Sequence, residues 1–142
     1  MRDKMSLTFT SMPENERFAR TVCAAFILPL DPTVEEMDEL KTAVSEAVTN
    51  SVIHAYGGRM GCIEISGEID GEWITYIIKD MGCGIPDIDK AREPLYSGSG
   101  DSERSGMGFS IMEAFCDDIS VESEVGMGTT VTLRKRIAVN GG

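Results

Sequence analysis

The chain has 142 residues, 42% of them apolar and 26% charged, which suits a single hydrophobic core and one domain over residues 1–142. A formal net charge of −11 argues against direct binding to nucleic acid or to an anionic membrane, since both repel such a surface, and is compatible with a basic protein partner. No apolar run approaches the roughly 20 residues that span a bilayer, and the N-terminus lacks a signal-peptide core, so a cytoplasmic location is expected.

Met5, Leu7 and Phe9 alternate with Ser6, Thr8 and Thr10, the period of a strand buried on one face. Ser11 precedes Glu14 by three residues, with Pro13 in the first turn, and predicts a capping box. The helix it opens carries Phe18, Val22, Ala25 and Phe26 on one stripe, with Arg17 and Arg20 off it, and should end near Pro29. Thr33 and Glu36 form a second capping pattern, and helical periodicity then runs from Val34 to about Tyr56, stopping at Gly57-Gly58. Ile63, Ile65 and Ile69 alternate with polar residues up to the turn pair Asp70-Gly71. The return strand, Trp73 to Ile78, is apolar on both faces, so it should lie nearer the middle of a sheet and end at Lys79-Asp80.

Residues 81–105 break the pattern with glycine, proline and small polar residues. A short helix over Asp87 to Glu93 is expected there, and the rest reads as a mobile loop of the kind that serves as a lid or a linker. A third helix follows, with Met107, Ile111, Met112 and Phe115 at core spacing. Then come a strand at Ile119-Ser120-Val121, a turn at Gly126-Met127-Gly128 and a last strand from Thr129 to Ile137. Hairpins combined with grouped helices imply an α+β two-layer sandwich, its sheet mixed but mostly antiparallel and its helices on one face. Cys23, Cys62, Cys83 and Cys116 contain no Cys-x-x-Cys pair, and His54 is the one histidine, so zinc spacing is absent and reduced, mostly buried thiols are expected.

Four segments bear on chemistry. Glu46, Asn50 and His54 lie four apart on the long helix, on a face turned away from the stripe Met37, Leu40, Val44, Ala47 and Val48. That ladder is either a solvated face or the wall of a site. Asp80-Met81-Gly82-Cys83-Gly84 follows the central strand. It is either a tight turn, or a carboxylate able to accept from a ligand amine beside glycines that allow close backbone approach. Ser105-Gly106-Met107-Gly108 stands at a helix start, where free amides and the helix dipole favour phosphate, with Arg104 just before it. No Gly-Lys-Ser/Thr follows, so this is not a Walker loop. Gly126-Met127-Gly128-Thr129-Thr130 alone reads as a hairpin turn.

In that order, Glu-x-x-x-Asn, Asp-x-Gly-x-Gly, Gly-x-Gly after a lid and Gly-Thr-Thr, the chain resembles the GHKL (Bergerat-fold) ATP-binding family over nearly its whole length. Within that family it is similar to the small serine kinases that act as anti-sigma factors in endospore-forming bacteria. The similarity rests on Ser45-Glu46-Ala47-Val48-Thr49-Asn50 with His54, on Asp80 to Pro86, on Glu103 to Phe109 with Ile111-Met112-Glu113, and on Val121 to Glu124 followed by Gly128-Thr129-Thr130.

The resemblance implies binding of ATP or ADP with Mg²⁺. Glu46 would be the general base and Asn50 the magnesium ligand. Asp80 would read the adenine amine with support from Thr130, while Gly82 and Gly84 let the backbone pass close to the nucleotide. The amides around Ser105, Gly106, Met107 and Gly108 would hold phosphate, Arg104 would reach the γ-phosphate, and residues 95–105 would be the ATP lid. The implied partners are a sigma factor, sequestered by a homodimer in the ATP state, and an anti-anti-sigma factor that supplies the phosphoacceptor serine. Arg20, exposed on the helical reading, is a candidate partner contact, and His54 is expected to be structural. A lone histidine on the nucleotide-site helix leaves no phosphoacceptor of the sensor-kinase kind, so the phosphate goes to another protein or to water. The alternatives are a non-catalytic ATP-gated binding module, or the equivalent kinase of a stress-response pathway.

Overall fold

A computed structural model describes residues 1–55, 60–82 and 102–138, with backbone alone for 54–55 and 102–108. Five strands, β1 (Arg2–Thr10), β2 (Cys62–Asp70), β3 (Trp73–Asp80), β4 (Asp118–Glu124) and β5 (Gly128–Arg136), form one sheet in the order β1-β2-β3-β5-β4. All four pairings are antiparallel, so the sheet is not mixed. The strand that is apolar on both faces, β3, occupies the centre, as its composition requires. Gly71 turns the β2–β3 hairpin with φ 64°, the left-handed conformation that an Asp-Gly pair supplies cheaply.

Alternation decides which side chains meet the helices. Ile65 pairs with Ile78, Gly67 with Tyr76 and Ile69 with Ile74, and all of these are buried on one face. Each isoleucine so buried contributes about 1.5–3 kcal/mol. Gly67 has no side chain because none fits: a Cβ there would lie 2.9 Å from Cε1 of Tyr76 and 3.1 Å from Cε2 of Phe26.

The helices are α1 (Asn15–Phe26), α2 (Val34–Asn50) and α3 (Ser102–Phe115), with a 3₁₀ turn at Leu28–Leu30 and a π-helical turn at Ser51–Ala55. Helix α2 starts as its sequence demands: the Thr33 hydroxyl accepts from the Glu36 amide at 3.0 Å, and the Glu36 carboxylate accepts from the Thr33 amide at 2.8 Å. Leu40, Ala43, Val44, Ala47 and Val48 bury its core face. At the far end of the sheet the buried Lys135 donates to the Phe115 carbonyl at 2.8 Å, a cation on the C-terminus of α3, and lies 3.6 Å from Glu39.

Several expectations are corrected. Ser11 caps no helix; its hydroxyl accepts from the Gly61 amide at 2.8 Å and so joins the ends of β1 and β2, and α1 begins at Asn15 with no side-chain cap. The buried stripe of α1 is Ala19 and Cys23, with Val22 and Phe26 half-buried, while Phe18 and Ala25 are exposed. The small pair wins because α1 also packs on α2, where small residues permit close approach. Helix α1 ends at Phe26, short of Pro29, and α2 gives way to the π turn after Asn50 instead of continuing as α-helix toward Tyr56. Among the described cysteines only Cys23 is buried; Cys62 is exposed and Cys116 intermediate, and all three are thiols. The expected helix over Asp87 to Glu93 lies outside the described residues, as does most of the lid. Among the described residues no helix is long and apolar enough to cross a membrane.

Candidate functional site

The site begins where β3 ends. Asp80 is 4% exposed, and a carboxylate so placed requires donors. It has three. The Ser51 hydroxyl donates to Oδ2 at 2.9 Å, and the amides of Gly82 and Thr129 donate to Oδ1 at 3.0 and 3.1 Å. Each comes from a different element: the π turn after α2, the chain leaving β3, and the first rung of β5. A carboxylate offers about four lone-pair directions, and these three donors occupy three of them.

Gly128 makes the approach of β5 possible. Its φ is 104°, and a Cβ there would fall 2.2 Å from the Asp80 carbonyl oxygen and 2.8 Å from the Met81 Cα. The glycine of Gly-Thr-Thr is therefore a contact point between two strands as well as part of a turn.

The two rungs of the ladder that lie on α2 are shielded from solvent. Glu46 is 8% exposed, and the Asn50 carbonyl oxygen, Oδ1, is shielded from solvent with no hydrogen-bond partner among the described residues. An orphaned amide oxygen costs free energy unless a donor or cation meets it. It suits a hard cation that keeps most of its waters and needs few protein ligands. No group of three or more His, Cys, Asp or Glu able to hold a metal is found among the described residues. Asn50 directly precedes Ser51, the donor to Asp80, so the end of α2 and the end of β3 meet at this point. One residue before Glu46, the Ser45 hydroxyl donates to Oε1 of Glu16 on α1 in a short bond, and the same oxygen lies 3.5 Å from Nε of Arg20. Arg20 is thus half-buried and paired, not the free surface arginine of the helical reading.

Two further site expectations change. Thr130 pairs with Lys79 on the sheet face opposite Asp80, and the described donor from this strand to Asp80 is the Thr129 amide. Helix α3 begins at Ser102, so its orphan amides run no further than residue 104, and Gly106, Met107 and Gly108 lie inside the helix rather than at its start. Arg104 and Ser105 fall in that first turn. His54 lies in the π turn, and Gly84 lies outside the described residues. Sequence reasoning missed Ser51 and Thr129. No local signal marks Ser51, while the alternation of β5 selects Thr129 over Thr130 once its pairing with β3 is known.

Comparison with known proteins adds an independent line. Residues 9–135 match the model of the histidine kinase-like ATPase domain. The chain is 52% identical over 139 residues to the anti-sigma F factor of Geobacillus kaustophilus, covering 97% of this chain and 95% of that one. It is 51% identical over 138 residues to the anti-sigma F factor of Clostridium beijerinckii, covering 96% of each. Among solved structures, the RsbU and RsbW domains of a Mycobacterium tuberculosis protein superpose with a TM-score of 0.69 over 95% of this chain and 32% of that longer one, at 17% identity, which is a likeness of fold.

Proposed function

Because the chain belongs to the histidine kinase-like ATPase domain family, and within it with the anti-sigma F factors, we propose that it is an ATP-dependent anti-sigma factor and serine-protein kinase. In the ATP state a homodimer holds a sporulation sigma factor away from RNA polymerase. The same nucleotide is spent on a serine of an anti-anti-sigma factor. Both events take place in the cytoplasm, where the sigma factor acts.

The observation that carries the reading is that Glu46 and Asp80 are both buried and that the Asn50 Oδ1 is shielded with no partner among the described residues. Asp80 accepts the adenine amine on its remaining lone pair. Gly82 and Gly84 let the backbone run beside the nucleotide. Arg104, Ser105 and the first-turn amides of α3 meet the phosphates. The orphaned oxygen of Asn50 fits Mg²⁺, which when bound neutralises charge on the β- and γ-phosphates. Glu46 takes the proton from the partner's serine hydroxyl as its oxygen bonds to the γ-phosphorus and the bond to ADP breaks. Arg20, paired with Glu16 on α1 and still partly exposed, is the candidate contact for the protein partners.

The test is a Glu46→Gln protein mixed with labelled ATP and the anti-anti-sigma partner. It should bind ATP as the parent does and transfer label at least about a hundredfold more slowly, the scale of general-base catalysis. Transfer at the parent rate would remove Glu46 as the base. If the parent itself binds ATP and the sigma factor yet moves no label, the protein is an ATP-gated binding module.

A further inference from the structure

The carboxylate of Asp80 belongs to a polar rung that crosses the sheet. Asp80 pairs with Thr129, and Thr129 pairs with Ser123 on the edge strand β4. The Ser123 hydroxyl lies 2.9 Å from the Thr129 hydroxyl and 3.1 Å from the Gly128 carbonyl oxygen. A serine has one proton to give, so both contacts are satisfied only when Ser123 donates to Gly128 and Thr129 donates to Ser123. That order fixes the Gly128–Thr129 peptide from outside. It is the peptide that lies against the end of β3 and whose Thr129 amide donates to Asp80 Oδ1 at 3.1 Å.

Resting on the assignment of Asp80 to the adenine amine, we infer that Ser123 is a positioning residue for nucleotide selectivity. It touches no nucleotide; it holds the amide that holds the carboxylate. Without the Ser123 hydroxyl, the Thr129 proton loses its acceptor and the peptide is free to rotate away from Oδ1. The amine reader then loses its aim, while the contacts to sugar and phosphate are untouched.

Two variants of equal shape separate hydroxyl from packing: Ser123→Thr keeps the hydroxyl and Ser123→Val removes it. Calorimetric titration uses ATP and purine riboside triphosphate, which lacks the amine. Ser123→Val should weaken ATP binding about three- to tenfold, the worth of one hydrogen bond. Its affinity for the amine-free analogue should stay within about twofold of the parent, and Ser123→Thr should match the parent for both. Equal losses for both nucleotides, or none, overturn the inference. A parent that does not prefer ATP to the analogue refutes the amine-reading role of Asp80 instead. Hydrogen exchange at the Thr129 amide in nucleotide-free protein then decides the positioning role by itself. Exchange should quicken in Ser123→Val and not in Ser123→Thr, and equal rates in parent and Ser123→Val would sink it.

Discussion

Gly128→Ala tests the contact that brings β5 to the site. At φ 104° an L-residue is strained, and the added carbon would meet the Asp80 carbonyl oxygen at 2.2 Å and the Met81 Cα at 2.8 Å. Both obstacles are backbone, so they cannot be swung aside as a side chain can. Left-handed strain costs about 1–2 kcal/mol and overpacking about 1–3 kcal/mol more, giving a loss of about 2–5 kcal/mol. For a chain of this length that lowers the melting temperature by roughly 4–20 °C. Gly126→Ala is the control. Its φ is 82°, in the same disfavoured half of conformational space, but a Cβ there meets nothing within 4 Å, so the strain term acts alone. Thermal unfolding of the two variants, followed by ATP titration of whichever stays folded, separates strain from collision. Gly128→Ala should lose more stability than Gly126→Ala, and it should also lose nucleotide affinity, because the peptide it displaces carries a donor to Asp80. Equal melting temperatures for the two variants would refute the reasoning, since the collision is what Gly128→Ala adds to the strain.

Two more outcomes follow from the ionisable groups. Partial burial pushes Glu36 up, but hydrogen bonds from the Thr33 and Ala138 amides and the Thr33 hydroxyl, with the charge of Lys135, hold it below the ordinary glutamate value. A carboxylate depressed in the folded state stabilises above its unfolded pKa and loses that contribution as pH falls through the folded one. Glu36→Gln should therefore melt about 1–4 °C below the parent at pH 7, the scale of an exposed cap, and the gap should close as pH drops below about 4. A gap that is constant with pH would show that the charge is irrelevant. Burial pushes the Cys23 thiol up to about 12, against a smaller opposing pull from Tyr76. At pH 8 roughly one molecule in ten thousand then carries the thiolate. Mass mapping after brief native alkylation should find Cys62 modified and Cys23 untouched, and comparable labelling of both would contradict the burial of α1's inner face.

The alternation of β1, β2 and β3, the Asp70-Gly71 turn and the Thr33–Glu36 cap were all legible, because each is a short-range pattern whose physics is contained in a few neighbouring residues. The order of the glycine segments behind Glu46 and Asn50 was legible for the same reason. Tertiary structure decided the rest. The stripe on α1 was misread because helical periodicity offers several apolar arcs, and only packing against α2 and the sheet chooses Ala19 and Cys23 over Phe18. The carboxylate of Asp80 is held by Ser51, 29 residues before it, and by Thr129, 49 residues after it. No local rule ties residues that far apart. Whether Glu46 and Asn50 faced water or a site depended on the other elements covering them, and they leave Glu46 8% exposed. Sequence alone determined which groups the chain carries and on which elements. The pairing of β3 with β5, and the docking of α2 on that sheet, determined that Ser51 and Thr129 meet at Asp80.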